Sequence, residues 1–394
     1  MKGKRKICFV ITSRVHYARS QSLLDLLRNH PALQLQIIVG GSALLPKYGD
    51  VTSALEKQGY EINERLYTVV EGGDHIAMAK TTGLTILEFT NAFQKLDPDI
   101  VVIRGDRFEM LASAIAAAYM NKTLAHVEGG DVSGSIDESV RHAITKLSHY
   151  HFVTNARSLE RVLRMGERPD TVFNTGSLEV EFAVKAPEIP EARINEALDS
   201  VGIGSHVDLA KPFLMVIQHP VTSGEELSAK LVEDEQFRHA NATLEAVGGQ
   251  DLQTLWFWPN IDAGTDALSK AIRIYREMHQ PKHIRFVKNL DPAIFINLLR
   301  RTACLVGNSS AGIKECSYLG VPVVDVGDRQ NRRFSGPHLV NIGYDPQAIL
   351  RAVANQVKHG KYTANPFYYQ AEPSRKIADL LSTLPLYSQK LFHD

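Results

Sequence analysis

Residues 126–146, HVEGGDVSGSIDESVRHAITK, place two histidines, four carboxylates and three glycines between an apolar run and an amphipathic pattern. Carboxyl groups sharing one pocket push their proton affinities apart, so one can be protonated while another is ionised, which suits proton transfer. Asp137 and Glu138 also have a plain explanation as favourable charge in the first turn of a helix over 137–149. That explanation leaves Glu128, at the end of an apolar run and followed by two glycines, without a reason. A metal reading through His126, Glu128 and His142 competes, since HxE opens a zinc deaminase signature. The PCxxC half is missing, however, and no HExxH occurs. The stretch therefore predicts carboxylate chemistry, with no metal and no cofactor.

Further polar groups follow apolar runs elsewhere: Arg14 and His16 after KICFVIT, Asp106 and Arg107 in GDR, His219 in QHP, and Asn260 in PNID. Ser309, Ser310 and Glu315 lie in NSSAGIKE after ACLVG, where small residues opening a helix leave backbone N–H groups for a phosphate. Arg329 belongs to DVGDRQNRR, and the planar fork of arginine suits a diphosphate. Neither a Walker lysine nor a GxGxxG fingerprint accompanies these segments.

The elements that must hold these residues read as two series of βα repeats. Apolar runs at 6–12, 35–41, 99–105, 123–128 and 151–155 lack polar alternation, as expected for parallel strands covered on both faces. Residues 18–29, 107–119 and 137–149 carry the three and four spacing of crossover helices. After a stretch rich in proline and charge at 186–212, a second series of runs begins at 213–220, 252–260, 283–289, 303–310 and 322–327. Two doubly wound α/β domains are predicted, 1–185 and 186–369, with a C-terminal helix in 370–394 returning to the first. A ligand is expected in the cleft at their strand ends.

The chain of 394 residues is 44% hydrophobic and long enough for two domains. Lys plus Arg and Asp plus Glu both total 44, so no global field favours nucleic acid or an anionic membrane, and an anionic ligand needs a local site. No apolar run approaches the roughly 20 residues of a membrane span. Cys8, Cys304 and Cys316 sit in or beside apolar runs without a CxxC pair, which predicts reduced buried thiols in a cytoplasmic protein.

Taken in order, GDRFE (105–109), HVEGGDVSGSIDESVRHAITKLSH (126–149), QHPVTS (218–223), PNIDAG (259–264), GNSSAGIKE (307–315) and GVPVVDVGDRQNRR (320–333) resemble the hydrolysing UDP-N-acetylglucosamine 2-epimerases. The resemblance runs from about residue 6 to 345. It implies the GT-B architecture, two Rossmann-like domains, and a reaction in which UDP leaves by anti elimination to 2-acetamidoglucal and water then adds to give N-acetylmannosamine for sialic acid-type synthesis. Close relatives of that family act on UDP-2,4-diacetamido-2,4,6-trideoxyglucose in the legionaminic acid pathway, which is the alternative substrate. A catalytically silent UDP-sugar-binding module is the alternative from another class.

By the same resemblance Asp106, Glu128, Asp137 and His219 are catalytic, while Arg14, Arg107, Asn260, Ser309, Ser310, Glu315 and Arg329 bind the UDP-sugar. Sugar contacts fall to His16, Arg141 and His142, and a homodimer or tetramer is implied. The chain departs from the family at Arg14–Tyr17, where His16 replaces an acidic residue, which bears on substrate choice.

Overall fold

Strand β1 (Arg5–Ile11) buries both of its faces, as its unbroken apolar run requires: Ile7, Phe9 and Ile11 join one core cluster, Cys8 and Val10 another. The computed structural model describes residues 3–45, 51–71, 75–133, 136–221, 229–259, 265–288, 290–386 and 389–394. Around β1 runs a sheet with β2 (Leu33–Gly40), β3 (Glu64–Leu66), β4 (Ile100–Arg104), β5 (Thr123–Val127), β6 (Tyr150–Val153) and β7 (Val172–Asn174). Its order is β3-β2-β1-β4-β5-β6-β7, and every pairing is parallel.

The second sheet holds β8 (Gly202–Gly204), β9 (Phe213–Ile217), β10 (Gln253–Phe257), β11 (Ile284–Val287), β12 (Cys304–Gly307), β13 (Val323–Val326) and β14 (Leu339–Ile342). The order is β14-β13-β12-β9-β10-β11-β8, parallel except for β8, which runs antiparallel to β11. Both are Rossmann-like sheets of the doubly wound kind. The direction of winding reverses between β1 and β4 in one and between β9 and β12 in the other, and open α/β sheets bind ligands at such switch points, beyond the strand carboxyl ends.

One compact unit comprises Met1–Val132, Ile136–Phe182 and Tyr368–Asp394; the other comprises Ser133–Ser135 and Ala183–Phe367. In the first, helix Pro373–Thr383 adds Ile377, Ala378 and Leu381 to the cluster that contains Leu23, Leu24 and Leu27 of helix Gln21–Asn29. The stretch 186–212, read in the sequence as loosened, contains a helix, Glu191–Val201, whose Ile194 and Leu198 are buried. Two buried apolar residues at i and i+4 suffice to seat a short helix whose remaining positions are mostly polar. The three cysteines are free and buried, and burial pushes each thiol above its ordinary range. Among the described residues no helix is long and apolar enough to cross a membrane.

Candidate active site

In the first unit the carboxylates gather at the carboxyl ends of neighbouring strands β4 and β5. Asp106 follows β4 and forms an ion pair with Arg141 of helix Ile136–Leu147. Arg141 is buried and also donates to the Asp131 carbonyl at 2.8 Å. Burial opposes its charge, but Asp106, Asp131 and Asp137 around it hold the guanidinium above its ordinary value. Asp137 therefore belongs to the same electrostatic cluster, from the first turn of that helix. The Asp131 side chain is buried and accepts from Ser158 Oγ at 2.9 Å, which makes it a support for the loop.

Glu128 closes β5 with φ +75, a left-handed conformation that few residues with a side chain adopt. Its amide donates to the Phe152 carbonyl at 2.9 Å, and its carboxylate meets Arg104 Nη2 at 3.1 Å. Arg104, itself buried at the end of β4, also reaches Glu179 at 2.9 Å and Ser20 Oγ at 3.3 Å. Glu179 in turn pairs with Arg19 at 3.1 Å and accepts from Ser177 Oγ at 2.7 Å. The turn between Glu128 and Asp131 needs its glycines: a Cβ on Gly130, at φ +77, would lie 2.4 Å from the Ser158 carbonyl oxygen.

Two histidines stiffen this floor. His126 is fully buried, donates through Nε2 to the Gly105 carbonyl at 2.9 Å and meets Thr145 Oγ1 through Nδ1 at 3.1 Å. Both ring nitrogens are thus engaged by protein groups, and burial pushes its pKa down to about 3. Among the described residues no cluster of His, Cys, Asp and Glu forms a metal-holding group. His16 is buried as well and sits with Nδ1 3.4 Å from the Thr12 amide. Burial, followed by the cations Arg104 and Arg107, pushes it down to about 3, so the ring is neutral at pH 7. Arg14 opens the short helix Arg14–Ala18, capped by Ser13, and Arg107 pairs with buried Glu109 at 3.1 Å. His142 lies 3.9 Å from Glu138, one turn earlier on the helix.

The second unit repeats the arrangement with different chemistry. His219 follows β9, and its backbone is tied to the fully buried Asn308 after β12 by two bonds: its amide donates to Asn308 Oδ1 at 2.7 Å, and its carbonyl accepts from Asn308 Nδ2 at 2.9 Å. The Asn308 carbonyl accepts from Arg329 Nη1 at 3.2 Å and from Gln330 Nε2 at 2.8 Å, which draws in the loop after β13. One asparagine thus joins three strand ends at the switch point. Close approach of β9 and β12 requires Gly307, at φ +120, because a Cβ there would fall 2.1 Å from the Ile217 carbonyl oxygen.

Ser309 caps the following segment, its Oγ accepting from the Ala311 amide at 3.3 Å, and Ser310 is half-buried beside it. The single helix read from NSSAGIKE is two short ones, Ser310–Ile313 and Glu315–Leu319, separated at Lys314. The break follows from packing, since the Gly312 carbonyl accepts from the His338 ring at 2.8 Å. Glu315 is buried at the start of the second helix. Asn260 lies outside the described residues.

The residues expected to act together thus fall in two groups. Asp106, Glu128, Asp137, Arg141, Arg107 and His16 meet around β1, β4 and β5; His219, Ser309 and Arg329 meet around β9, β12 and β13. The sequence reading missed Arg104, Glu179 and Asn308. The available signal for Arg104 was an arginine at the end of the buried strand IVVIR, which demands a buried anion.

Comparison with known proteins identifies the family and the fold. A family model described as UDP-N-acetylglucosamine 2-epimerase matches residues 25–382. A Legionella pneumophila protein named UDP-N,N'-diacetylbacillosamine 2-epimerase (hydrolyzing) is 33% identical over 387 residues, covering 98% of each chain. A Neisseria meningitidis protein named UDP-N-acetylglucosamine 2-epimerase is 31% identical over 364 residues, 92% of this chain and 90% of that one. The crystal structure of the UDP-GlcNAc 2-epimerase from Neisseria meningitidis bound to UDP-GlcNAc superposes with a TM-score of 0.77 at 16% identity, covering 95% of this chain and 99% of that one, which shows the shared GT-B fold. On the family match and these relatives, the chain belongs to the hydrolysing UDP-N-acetylglucosamine 2-epimerase family of enzymes.

Proposed function

We propose that the enzyme removes UDP from a UDP-2-acetamido sugar and returns the free 2-epimer. The observation that carries this reading is the pair of carboxylate–arginine couples, Asp106 with Arg141 and Glu128 with Arg104, set beside Asp137 at the ends of β4 and β5. A C2–H bond has no adjacent carbonyl to acidify it, so its proton leaves only as the C1–O bond breaks and positive charge develops on the ring. Anions near that ring stabilise the charge and accept the proton.

In the first step Asp137 takes the C2 proton, the C–H electrons form the C1=C2 bond, and UDP departs with the C1–O electrons. Glu128 is committed to Arg104, and a proton placed on it would break that pair, so it is assigned to orienting water. In the second step water adds across the double bond, OH to C1 and a proton to C2 from the face opposite the one the first proton left, and Asp137 gives up its abstracted proton to solvent, which restores the base. Asp106 orients the sugar. His219, Ser309, Ser310 and Arg329 receive the diphosphate, with Arg14, Arg107, Asn260 and Glu315 completing the nucleotide contacts.

Two substrates suit this chemistry. The end-to-end match to the Legionella pneumophila protein favours UDP-2,4-diacetamido-2,4,6-trideoxyglucose, and neutral His16 in place of an acidic residue is consistent with a less hydroxylated sugar. The Neisseria meningitidis relative supports UDP-N-acetylglucosamine, whose product would be N-acetylmannosamine. Incubation with each in deuterium oxide, followed by NMR, decides. The expected result is one UDP released per sugar, with deuterium at C2 of the free 2-epimer; UDP release with protium retained at C2 would overturn the mechanism.

Three buried free thiols suit a reducing cytoplasm. The helix His75–Leu96 leaves Ile76, Leu84 and Leu87 exposed, which supports a homodimer or tetramer, to be measured by sedimentation.

A further inference from the structure

We propose that Lys390 is a positioning residue for the carboxylate cluster, fixing from its far end the helix Ile136–Leu147 that carries Asp137 and Arg141. The proposal rests on the roles given to those carboxylates above. The Lys390 ammonium donates to three carbonyls around the end of that helix, Thr145 at 3.1 Å, Lys146 at 2.7 Å and Ser148 at 2.6 Å. They lie at the negative end of the helix dipole, where the last turn runs short of intrahelical donors; the Thr145 carbonyl accepts from the Ser148 amide at 3.1 Å as well.

A cation there is held in turn. Glu167 lies 2.7 Å from Lys390, 2.7 Å from Lys146 and 3.0 Å from His151 Nε2. Two residues further on, Phe392 sits on Gly166 so closely that a Cβ at 166 would fall 2.2 Å from its ring, and the His393 amide donates to the Gly166 carbonyl at 3.0 Å. Residues 390–393 therefore buckle segment 165–167 to the end of the helix. The helix transmits that restraint over one turn: Thr145 Oγ1 meets His126, and Arg141, four residues earlier, binds Asp106.

Lys390 also confers a pH dependence on the restraint. Burial lowers its pKa from the ordinary lysine value to about 8, with Glu167 opposing the shift. The groups facing it are Glu167 from the 165–167 segment, Lys146 from the helix and His151 from β6. Glu167 is held at about 2, burial being outweighed by hydrogen bonds from His151, Lys146 and Lys390, and burial lowers His151 below its ordinary value. The cation is present below about pH 8 and is lost above it.

The test compares wild type, K390M, K390R and D137N as full chains, using whichever of the two UDP-sugars releases UDP faster. At pH 7, K390M is expected to lose five- to twentyfold in kcat with KM within twofold, and amides 137–147 to exchange hydrogen faster. K390R is expected to stay within twofold of wild type at pH 7 and to lack the fall in kcat that wild type shows above about pH 8. An unchanged kcat in K390M, or an alkaline fall in K390R equal to that of wild type, overturns the proposal; the second criterion stands even if K390M fails to fold. Full activity in D137N overturns the assigned role of Asp137 itself, a result distinct from an inert K390M in an enzyme that still needs Asp137.

Discussion

Asp106 and Glu128 stood out in the sequence because each follows an apolar run, and Asp137, which also reads as ordinary first-turn helix charge, because the motif around it is ordered and specific. Of their arginine partners, Arg141 was named from its motif and Arg104 was not. Arg104 ends a strand whose other residues are all apolar, so its type alone did not say whether it served as a solvated end or as the centre of a buried network. The pairs set distinct expectations for each carboxylate. D106N and D137N should each lower UDP release by about 10²–10⁴-fold, the range for lost acid–base or charge stabilisation, with UDP affinity by calorimetry nearly unchanged. E128Q should release UDP yet accumulate the glucal, visible by NMR as a C1 vinyl proton. Arg104→Met removes the partner of two buried carboxylates, and urea unfolding should show a loss of about 3–5 kcal/mol.

At the scale of elements, the long apolar strands were plain in the sequence and four short ones were not. β3, β7, β8 and β14 contain three or four residues each, and β8 and β14 are largely exposed, so neither run length nor hydrophobicity marked them. Their order is set by pairing with neighbours far away in the chain, which local pattern does not encode. Asn308 makes the same point for the site: it was quoted within a motif, but its work of tying β9 to β12 depends on residues 89 positions away. N308A should therefore act on an element junction, costing about 1–3 kcal/mol in urea unfolding for the bonds left unmade and weakening UDP binding about tenfold by calorimetry.

For the whole molecule, alternation of buried strands and amphipathic helices was enough to specify two doubly wound sheets. Their switch points follow from topology, and residues of the quoted motifs lie at both. Stability should depend on acid in a way set by the buried rings. His16 and His126 take up protons near pH 6.5 when unfolded but only near pH 3 when folded. Between those values the unfolded state binds more protons, so stability declines as pH falls, by up to about 1.4 kcal/mol per pH unit for each ring. The urea midpoint should drop from pH 6.5 to 4, and His126→Gln should flatten that slope; an unchanged slope would show that His126 is protonated in the native state.

The return of residues 368–394 to the first unit also has a consequence in time. A ribosome delivers Phe182 well before Tyr368, and at about 5–20 residues per second the interval is roughly 10–40 seconds. Throughout it, Leu23, Leu24 and Leu27 wait for Ile377, Ala378 and Leu381 to arrive, although the second unit can already be folding. The first unit is thus begun first and finished last, and its core stays open until the final residues emerge.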